Sequence, residues 1–366
     1  MANLRLPGPT PVPPDVYEAM SKQMIDHRGV EFAALIARVG DNLKRAFETT
    51  NDVFVLTSSG TGAMEAAIVN CLSPGDKVLA ITVGVFGNRF GQIASAYGAN
   101  VTTLSVPMGM GADVEQIQKA LQKEQGFKAV MITHNETSTG VTNDLEIISK
   151  LVKEKSSALL LVDAISSIGC VPFPVDKWGC DVVVTGSQKG FMIPPGLAFI
   201  SFSEKAWDAN KYAQMPRFYF DIGKAKAYFE NGETPWTPAV SVFYGLELAL
   251  DHMLKEGMQK IYDNHQKLGE LTRQGIKALG LDLFAEEKFA SNTITAGSIP
   301  TGLDGKKLVS LMRSDHNVVI AGGQQELSGK IFRIGHLGYC SEEDINDALS
   351  ALDSTLKKMG FVPKGS

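Results

Sequence analysis

The sequence predicts an α/β protein built on a mostly parallel β-sheet with helices on both faces. Short apolar segments alternate with amphipathic ones over the first 200 residues, which is typical of such a sheet. Two of them, Ala158–Val162 and Asp181–Val184, are rich in Val and Leu and end in small polar residues, as buried parallel strands do. Shorter elements after residue 280 predict a smaller α/β C-terminal domain. We therefore expect an arm (1–20), a large domain (21–255) and a small domain (256–366).

Composition and charge exclude several classes of protein. Of 366 residues, 44% are hydrophobic and 20% are charged, which is ordinary for a soluble enzyme. The net charge of −5 argues against a partner such as nucleic acid. The N-terminus has no apolar signal segment, and no apolar stretch is long enough for a bilayer, so we expect a cytoplasmic protein without a membrane partner. The terminal Lys364-Gly365-Ser366 is interpreted as a cloning remnant or a disordered tail.

The cysteines predict neither a metal site nor disulfides. They are scattered without CxxC spacing, so structural zinc and a disulfide framework are not indicated. We expect reduced structural thiols at all four positions: Cys71, Cys170, Cys180 and Cys340.

The elements of the first half follow from proline content and periodicity. Five prolines make Leu6–Pro14 an extended arm, and an apolar stripe that includes Phe32, Val39 and Phe47 predicts a helix. The predicted helices are Asp15–Ile25, Glu31–Thr49, Ala63–Leu72, Asn88–Tyr97, Asp113–Lys123 and Asn143–Lys155. The predicted strands are Val53–Leu56, Lys77–Thr82, Asn100–Val106 and Lys128–Thr133.

The second half continues with a strand that returns into the sheet and then with the small domain. A Pro-Pro-Gly turn precedes the strand Leu197–Phe202, and Pro238 opens a long helix. The predicted helices are Ala239–Lys255, Met258–Leu279, Leu303–Ser314 and Glu342–Lys358. The predicted strands are Leu281–Phe284, Asn292–Ala296, Val318–Ile320 and Lys330–Ile334.

An acid and a lysine follow the two central strands. Asp163 ends the first strand, and Lys189 follows the second, so both should lie at the carboxyl edge of the sheet, where α/β proteins bind ligands. This pair suits pyridoxal 5′-phosphate (PLP): Lys189 would form the Schiff base, and Asp163 would pair with the protonated pyridine nitrogen. Ser187 and Gln188 are placed for contacts with the cofactor phosphate. Taken singly, the acid could be a helix cap and the lysine a surface residue.

The segment Thr57–Gly62 joins a strand to a helix through small residues. Such a loop presents free amides at the positive end of a helix, which suits a phosphate. Many strand–helix joints have this composition, so the loop indicates a phosphate site only in combination with Lys189.

The motifs VDAISSIG, TGSQKG and PPGLAF resemble those of class V, fold-type I PLP-dependent aminotransferases. The likeness is greatest to the serine–glyoxylate and alanine–glyoxylate aminotransferases, and it extends from about Leu6 to Met359. It implies a fold-type I PLP-transferase and a homodimer with a shared active site.

The resemblance assigns cofactor contacts residue by residue. The phosphate would contact Ser59, Gly60 and Thr61, and Phe86 would stack on the pyridine ring, where relatives often have Trp. Thr137 would hydrogen-bond near the ring hydroxyl. Thr237 would reach the phosphate of the neighbouring subunit's cofactor. Without the resemblance, Phe86 would be interpreted as a core residue.

The resemblance also assigns substrate contacts. Arg333, an arginine between apolar residues of a predicted strand, would bind the substrate α-carboxylate as a fork. The alternative is a structural ion pair. The N-terminal arm, with Gly8, would lie across the dimer and line the substrate pocket, unless it is an ordinary disordered terminus.

The predicted reaction is transamination from a small L-amino acid (serine, alanine or aspartate) to glyoxylate or pyruvate, with Lys189 as the general base. One alternative is a PLP-dependent lyase of the cysteine desulfurase type, which needs a reactive cysteine. Cys340 is the only late cysteine, and Gln188 stands where such lyases place histidine. The chain could also be a transaminase for an aminophosphonate or ureidoglycine, or a non-catalytic phosphate-binding protein.

Overall fold

The computed structural model describes residues 2–362, so Lys364-Gly365-Ser366 lie outside it. The described strands are β1 (Asn3–Leu4), β2 (Val53–Ser58), β3 (Lys77–Thr82), β4 (Asn100–Ser105), β5 (Ala129–Thr133), β6 (Asn135–Glu136), β7 (Val141–Thr142), β8 (Leu159–Asp163), β9 (Val182–Gly186), β10 (Gly196–Phe202), β11 (Ile294–Ser298), β12 (Val318–Val319), β13 (Ala321–Gly322) and β14 (Ile331–Gly335).

The described helices alternate with these strands. They are α1 (Pro14–Ala19), α2 (Val30–Phe47), α3 (Gly60–Cys71), α4 (Val85–Ala96), α5 (Val114–Lys123), α6 (Leu145–Lys155), α7 (Val175–Trp178), α8 (Glu204–Asn210), α9 (Ile222–Phe229), α10 (Val240–Glu256), α11 (Met258–Ala278), α12 (Gly305–His316) and α13 (Glu342–Lys358). Within residues 2–362, no helix is long and apolar enough to cross a membrane.

Seven strands form the central sheet, in the order β2-β10-β9-β8-β5-β3-β4. Six run in one direction, and β10 alone is antiparallel to its neighbours β2 and β9. The registers Thr133↔Asp163 and Asp163↔Val184 bring the carboxyl ends of β5, β8 and β9 to one edge. The predicted mostly parallel sheet, with a returning strand, is confirmed.

Apolar clusters cover both faces of this sheet. One contains the apolar face of α2 together with α10, and it includes Phe32, Phe47 and Phe243, all fully buried. The other packs α3 and α4 on the opposite face, with Phe54 and Phe90 in its core. Because β5, β8 and β9 are buried along their whole length, their apolar runs could be recognised from the sequence.

The C-terminal part has a separate core and a three-stranded antiparallel sheet, β11-β14-β13. The N-terminal arm joins it: β1 pairs in parallel with β12, and the Gly335 amide donates to the Arg5 carbonyl over 2.8 Å. The arm is thus extended, as predicted, and its first residues lie on the C-terminal part of the same chain.

Several predicted boundaries were wrong. The helix predicted to reach Ile25 ends at Ala19, and a turn at Met20 and Ser21 follows it. The strand predicted over Leu281–Phe284 is reduced to a single bridge between Leu283 and Gly297. Conversely, α3 begins at Gly60 and α4 at Val85, three residues earlier than predicted. These early starts bring the small-residue loops into the first helical turns.

Candidate active site

Asp163 lies buried at the carboxyl edge of the sheet, as the last residue of β8. Its carboxylate accepts hydrogen bonds from the Thr133 hydroxyl (3.2 Å) and the Ile165 amide (2.9 Å). Burial raises the pKa of Asp163 to about 6, and the nearby Glu136 carboxylate acts in the same direction. A carboxylate with few donors in such a place gains most from a cationic partner.

Lys189 follows β9 and is enclosed by the N-terminal arm. Its ammonium group donates to the Pro7 carbonyl, and a Cβ on Gly8 would lie 2.5 Å from Nζ. Burial lowers the pKa of Lys189 to about 8; Asp163 opposes this shift and Arg333 adds to it. A lysine with this pKa is partly neutral near pH 8, as a nucleophile or base must be.

The loop Ser59–Thr61 has unused hydrogen-bond donors. Ser59 caps α3 without a side-chain bond, and the amides of Gly60 and Thr61 donate to no protein acceptor in the described chain. Gly60 packs closely here, because a Cβ would lie 2.6 Å from a methyl group of Ile165, which follows closely after Asp163 and would have to move. The amides therefore open beside the Asp163 strand end, as an anion site would.

The two residues before Lys189 differ in their hydrogen bonding. The amide oxygen of Gln188 is buried without a partner in the described chain. The Ser187 hydroxyl donates its proton to the Pro194 carbonyl over 2.7 Å and accepts from the Leu197 amide. Ser187 thus supports the turn after Lys189, and its predicted cofactor contact would require the hydroxyl to change partner.

Phe86 lies in the first turn of α4, where Glu136 holds the backbone. The fully buried Glu136 carboxylate accepts from the amides of Phe86 and Gly87 (3.0 Å each), and from the Ser138 amide and hydroxyl. Glu136 was missed in the sequence. The only signal was a charged residue among small ones directly after a buried strand. Arg89, also missed, has its guanidinium carbon 4.8 Å from the centre of the Phe86 ring.

Arg333 is 4% exposed and is fixed by backbone carbonyls. Its Nε and Nη2 donate to the Gly322 carbonyl (2.9 and 2.7 Å), and its Nη1 donates to the Thr137 carbonyl (2.9 Å). No ion pair with a described carboxylate holds it, so the structural ion pair considered for it is absent from residues 2–362. Desolvation lowers its pKa to about 10. Thr137 contributes its carbonyl here, and its predicted contact near the ring hydroxyl stays a prediction.

Thr237 is exposed on the surface. Its neighbour Trp236 stacks against Phe218 and Tyr219, with ring centres 5.0 and 5.9 Å away. The Tyr219 hydroxyl donates to the Thr57 carbonyl, so this surface adjoins the strand that leads to the Ser59–Thr61 loop. A contact of Thr237 with a neighbouring subunit's cofactor stays a prediction.

Burial keeps two cysteines and one histidine in their neutral forms. Burial raises the pKa of Cys170 to about 12 and that of Cys340 to about 11. His134 packs edge-on against Phe173 and Trp178, and burial lowers its pKa to about 3. All four cysteines are free thiols, and residues 2–362 contain no group of three or more His, Cys, Asp or Glu that could hold a metal ion.

Three groups of the site fit PLP. The loop amides match a phosphate, the Asp163 carboxylate matches a protonated pyridine nitrogen, and Lys189 matches an aldehyde. Together with a large mixed sheet and a small C-terminal sheet, this arrangement defines a fold-type I PLP-dependent enzyme.

Comparison with known families supports this class. The family described as Aminotransferase class-V matches residues 3–346. The chain belongs to this family and is a PLP-dependent aminotransferase. The solved alanine–glyoxylate aminotransferase of Nostoc sp. superposes with a TM-score of 0.93 at 32% identity, covering 97% of this chain and 95% of that one.

Individual relatives differ in their names. The chain is 46% identical to a protein named soluble hydrogenase, small subunit, of Synechococcus sp. (98% of this chain, 94% of that protein). It is 38% identical to the serine–glyoxylate aminotransferase of Methylorubrum extorquens (97% and 90%). It is also 37% identical to the L-aspartate–glyoxylate aminotransferase of Paracoccus denitrificans (97% and 91%).

Proposed function

We propose that the protein transfers the amino group of a small L-amino acid to glyoxylate, with pyruvate as the second acceptor. Serine, alanine and aspartate are the candidate donors. The observation that carries the proposal is the placement of Asp163 and Lys189 after the neighbouring strands β8 and β9, at the sheet edge where the Gly60 and Thr61 amides lack acceptors in the described chain. The glyoxylate-specific names of three relatives with different donors support the acceptor more than the donor.

Lys189 is the residue that moves the proton. It would hold the cofactor covalently and, once the donor amine has taken its place, its free amine would remove the proton from the donor Cα and deliver it to the cofactor carbon that carried the aldehyde. Its lowered pKa keeps part of it neutral for this work. The bound cofactor supplies an electron sink for the negative charge left at Cα. Asp163 keeps the pyridine nitrogen protonated, which its buried carboxylate does best as an anion.

Arg333 orients the donor. A guanidinium group has five N–H donors, and three of them are bound to the carbonyls of Gly322 and Thr137. Two remain, one on each terminal nitrogen, and they match the two oxygens of a carboxylate. Holding the carboxylate decides which Cα bond faces the cofactor, and therefore which bond breaks.

The proposal includes a homodimer. Phe218 and Tyr219 are 69% and 44% exposed beside Trp236 and Thr237, and an exposed aromatic cluster of this kind suits a covered interface. Thr237 would then reach the neighbouring subunit's phosphate. The substrate role of Gly8 and a cytoplasmic location belong to the same proposal.

The lyase alternative is less well supported. A desulfurase-type reaction needs a cysteine that is readily ionised. Cys340 is half-buried before α13, its thiol donates to the Ser341 carbonyl, and burial raises its pKa to about 11. These properties are those of a structural thiol.

The test is a spectrum of the cofactor-loaded protein mixed separately with L-serine, L-alanine and L-aspartate, without acceptor. We expect one donor to convert the visible band of the lysine-bound cofactor to that of the aminated form, and glyoxylate to reverse it. Lys189→Ala should abolish the conversion, whereas the exposed Lys211→Ala should not. A coloured protein that no donor converts would contradict the proposal and favour a lyase.

A further inference from the structure

Arg89 is a cation whose role the reaction does not explain. It lies on α4 one turn after Phe86, and its guanidinium carbon is 4.8 Å from the centre of that ring. Its Nη1 donates to the Thr61 hydroxyl over 3.3 Å. The Phe86 ring and the Thr61 hydroxyl together hold the guanidinium group at the loop Ser59–Thr61.

The charge of Arg89 has no counter-ion within the described chain. No carboxylate of residues 2–362 pairs with it, and its contacts are the Thr61 hydroxyl and the Phe86 ring. Glu136, a buried acid of the site, is already bound to the amides that begin α4. A half-buried guanidinium group without a counter-ion favours an anionic ligand.

The surroundings of Arg89 indicate which anion it binds. Its hydrogen-bond partner Thr61 belongs to the first turn of α3, where the Gly60 and Thr61 amides have no acceptor in the described chain. A side-chain cation and a helix N-terminus that converge on one point are the two common components of a phosphate site. A guanidinium group also offers several donors in one plane to the phosphate oxygens.

We propose that Arg89 binds the cofactor phosphate and supplies the side-chain cation of that site. This rests on the proposed position of the phosphate at Ser59–Thr61. The phosphate takes the guanidinium donors that the Thr61 hydroxyl and the Phe86 ring occupy only weakly. Arg89 then contributes to cofactor affinity and leaves the proton transfer to Lys189.

The experiment compares PLP with pyridoxal, which lacks the phosphate. Cofactor-free wild type, Arg89→Gln, Arg89→Lys and the control Arg38→Gln are titrated with each compound, and Kd is read from protein fluorescence. Arg38 is a surface residue that forms an ion pair with Glu247, so it serves as a control for the loss of an arginine charge. We expect Arg89→Gln to raise the Kd for PLP about tenfold to a hundredfold and to leave the Kd for pyridoxal unchanged. Arg89→Lys should be intermediate, and Arg38→Gln should match wild type.

Inorganic phosphate gives a second readout without the pyridine ring. It should raise the melting temperature of the cofactor-free wild type, and less so that of Arg89→Gln. If Arg89→Gln fails to fold, the same comparison of PLP and pyridoxal with Arg89→Lys decides.

Three results would overturn the proposal. The first is unchanged PLP affinity in a folded Arg89→Gln. The second is equal weakening of PLP and pyridoxal, which would mean that Arg89 acts through the Phe86 ring. The third is an unchanged Kd for PLP with a raised KM for aspartate but not for serine, which would assign Arg89 to a substrate carboxylate. Failure of wild type itself to bind PLP would instead refute the proposed function.

Discussion

The ammonium group of Lys189 donates to the Pro7 carbonyl, so the N-terminal arm closes over the lysine of its own chain. The same arm is anchored at β12, which fixes its position before it reaches the lysine. The fold therefore uses the arm both to cover Lys189 and to join the two parts of the chain.

Gly8→Ala tests this closure. Gly8 has φ +124°, and a Cβ there would lie 2.5 Å from Lys189 Nζ. We expect transamination to fall about a hundredfold, because the lysine is displaced from its reacting position. The measurement is kcat/KM together with the rate at which the lysine-bound cofactor band forms.

Gly75→Ala is the matched control. Gly75 also has positive φ (+86°), but a Cβ there would meet nothing within 4 Å. Both variants should lose about 1–2 kcal/mol of stability through backbone strain. Only Gly8→Ala should lose activity; equal activity in the two variants would show that the arm does not constrain Lys189.

Asp163→Asn should act in opposite directions on stability and on cofactor binding. The pKa of Asp163 is about 6 in the cofactor-free fold, against about 3.9 in the unfolded chain. The folded protein thus binds this proton more tightly, so the free energy of unfolding falls as pH rises from about 4 to about 6. At pH 8 the penalty is about 3 kcal/mol. The substitution should remove it and stabilise the cofactor-free protein.

Urea unfolding of the cofactor-free variants at pH 8 measures the gain in stability, and titration with PLP measures the loss of cofactor affinity. Affinity should fall, because asparagine carries no charge for the pyridinium. Asp208→Asn, an exposed acid paired with Lys211, should change neither quantity. Unchanged PLP affinity in Asp163→Asn would remove Asp163 from its proposed role.

Arg333→Gln should lower kcat/KM for the amino donor about a hundredfold, mainly through KM. The physical reason is the loss of the two N–H groups that match the donor carboxylate. Single turnovers with a primary amine that lacks a carboxylate should be affected far less. Arg273→Gln is the control, since Arg273 is also partly buried and donates to the Ser291 carbonyl. A similar loss with acid and amine would assign Arg333 a structural role.

The sheet could be predicted because its central strands are buried on both faces. The segments of β5, β8 and β9 are apolar at nearly every position, so length and composition were sufficient. The strand predicted around Leu283 was wrong, because this segment forms only a single bridge to Gly297 and a single bridge leaves no periodic pattern in the sequence. The order of strands depends on pairings between distant residues, which local patterns do not contain.

The candidate site was predictable where residues follow strands and less so where they meet through helices. Asp163 and Lys189 were found because each stands after an apolar run. Arg89 was not identified from the sequence, because an arginine one turn after an aromatic residue usually packs against it on the helix surface. Glu136 was not identified from the sequence, because its hydrogen-bond partners, Phe86 and Gly87, are about fifty residues away in the chain.

Glu136→Gln tests whether this buried carboxylate positions the Phe86 ring. A carboxylate accepts at both oxygens, whereas glutamine keeps a single acceptor oxygen, so its NH₂ group would face either the amides of Phe86 and Gly87 or the amide of Ser138, which are themselves donors. Leaving one of them unsatisfied should cost about 1–3 kcal/mol of stability. The binding of PLP and that of pyridoxal should weaken to the same extent, because the change acts through the Phe86 ring and not through the phosphate. The pKa of Asp163 should fall, since Glu136 helps to raise it.

Cofactor titrations and unfolding curves at several pH values measure these effects, with the exposed Glu115→Gln as the control. Equal weakening of PLP and pyridoxal distinguishes Glu136 from Arg89, for which only PLP should weaken. A Glu136→Gln protein as stable as Glu115→Gln, with wild-type affinity for both compounds, would show that α4 keeps Phe86 in place without its buried acid.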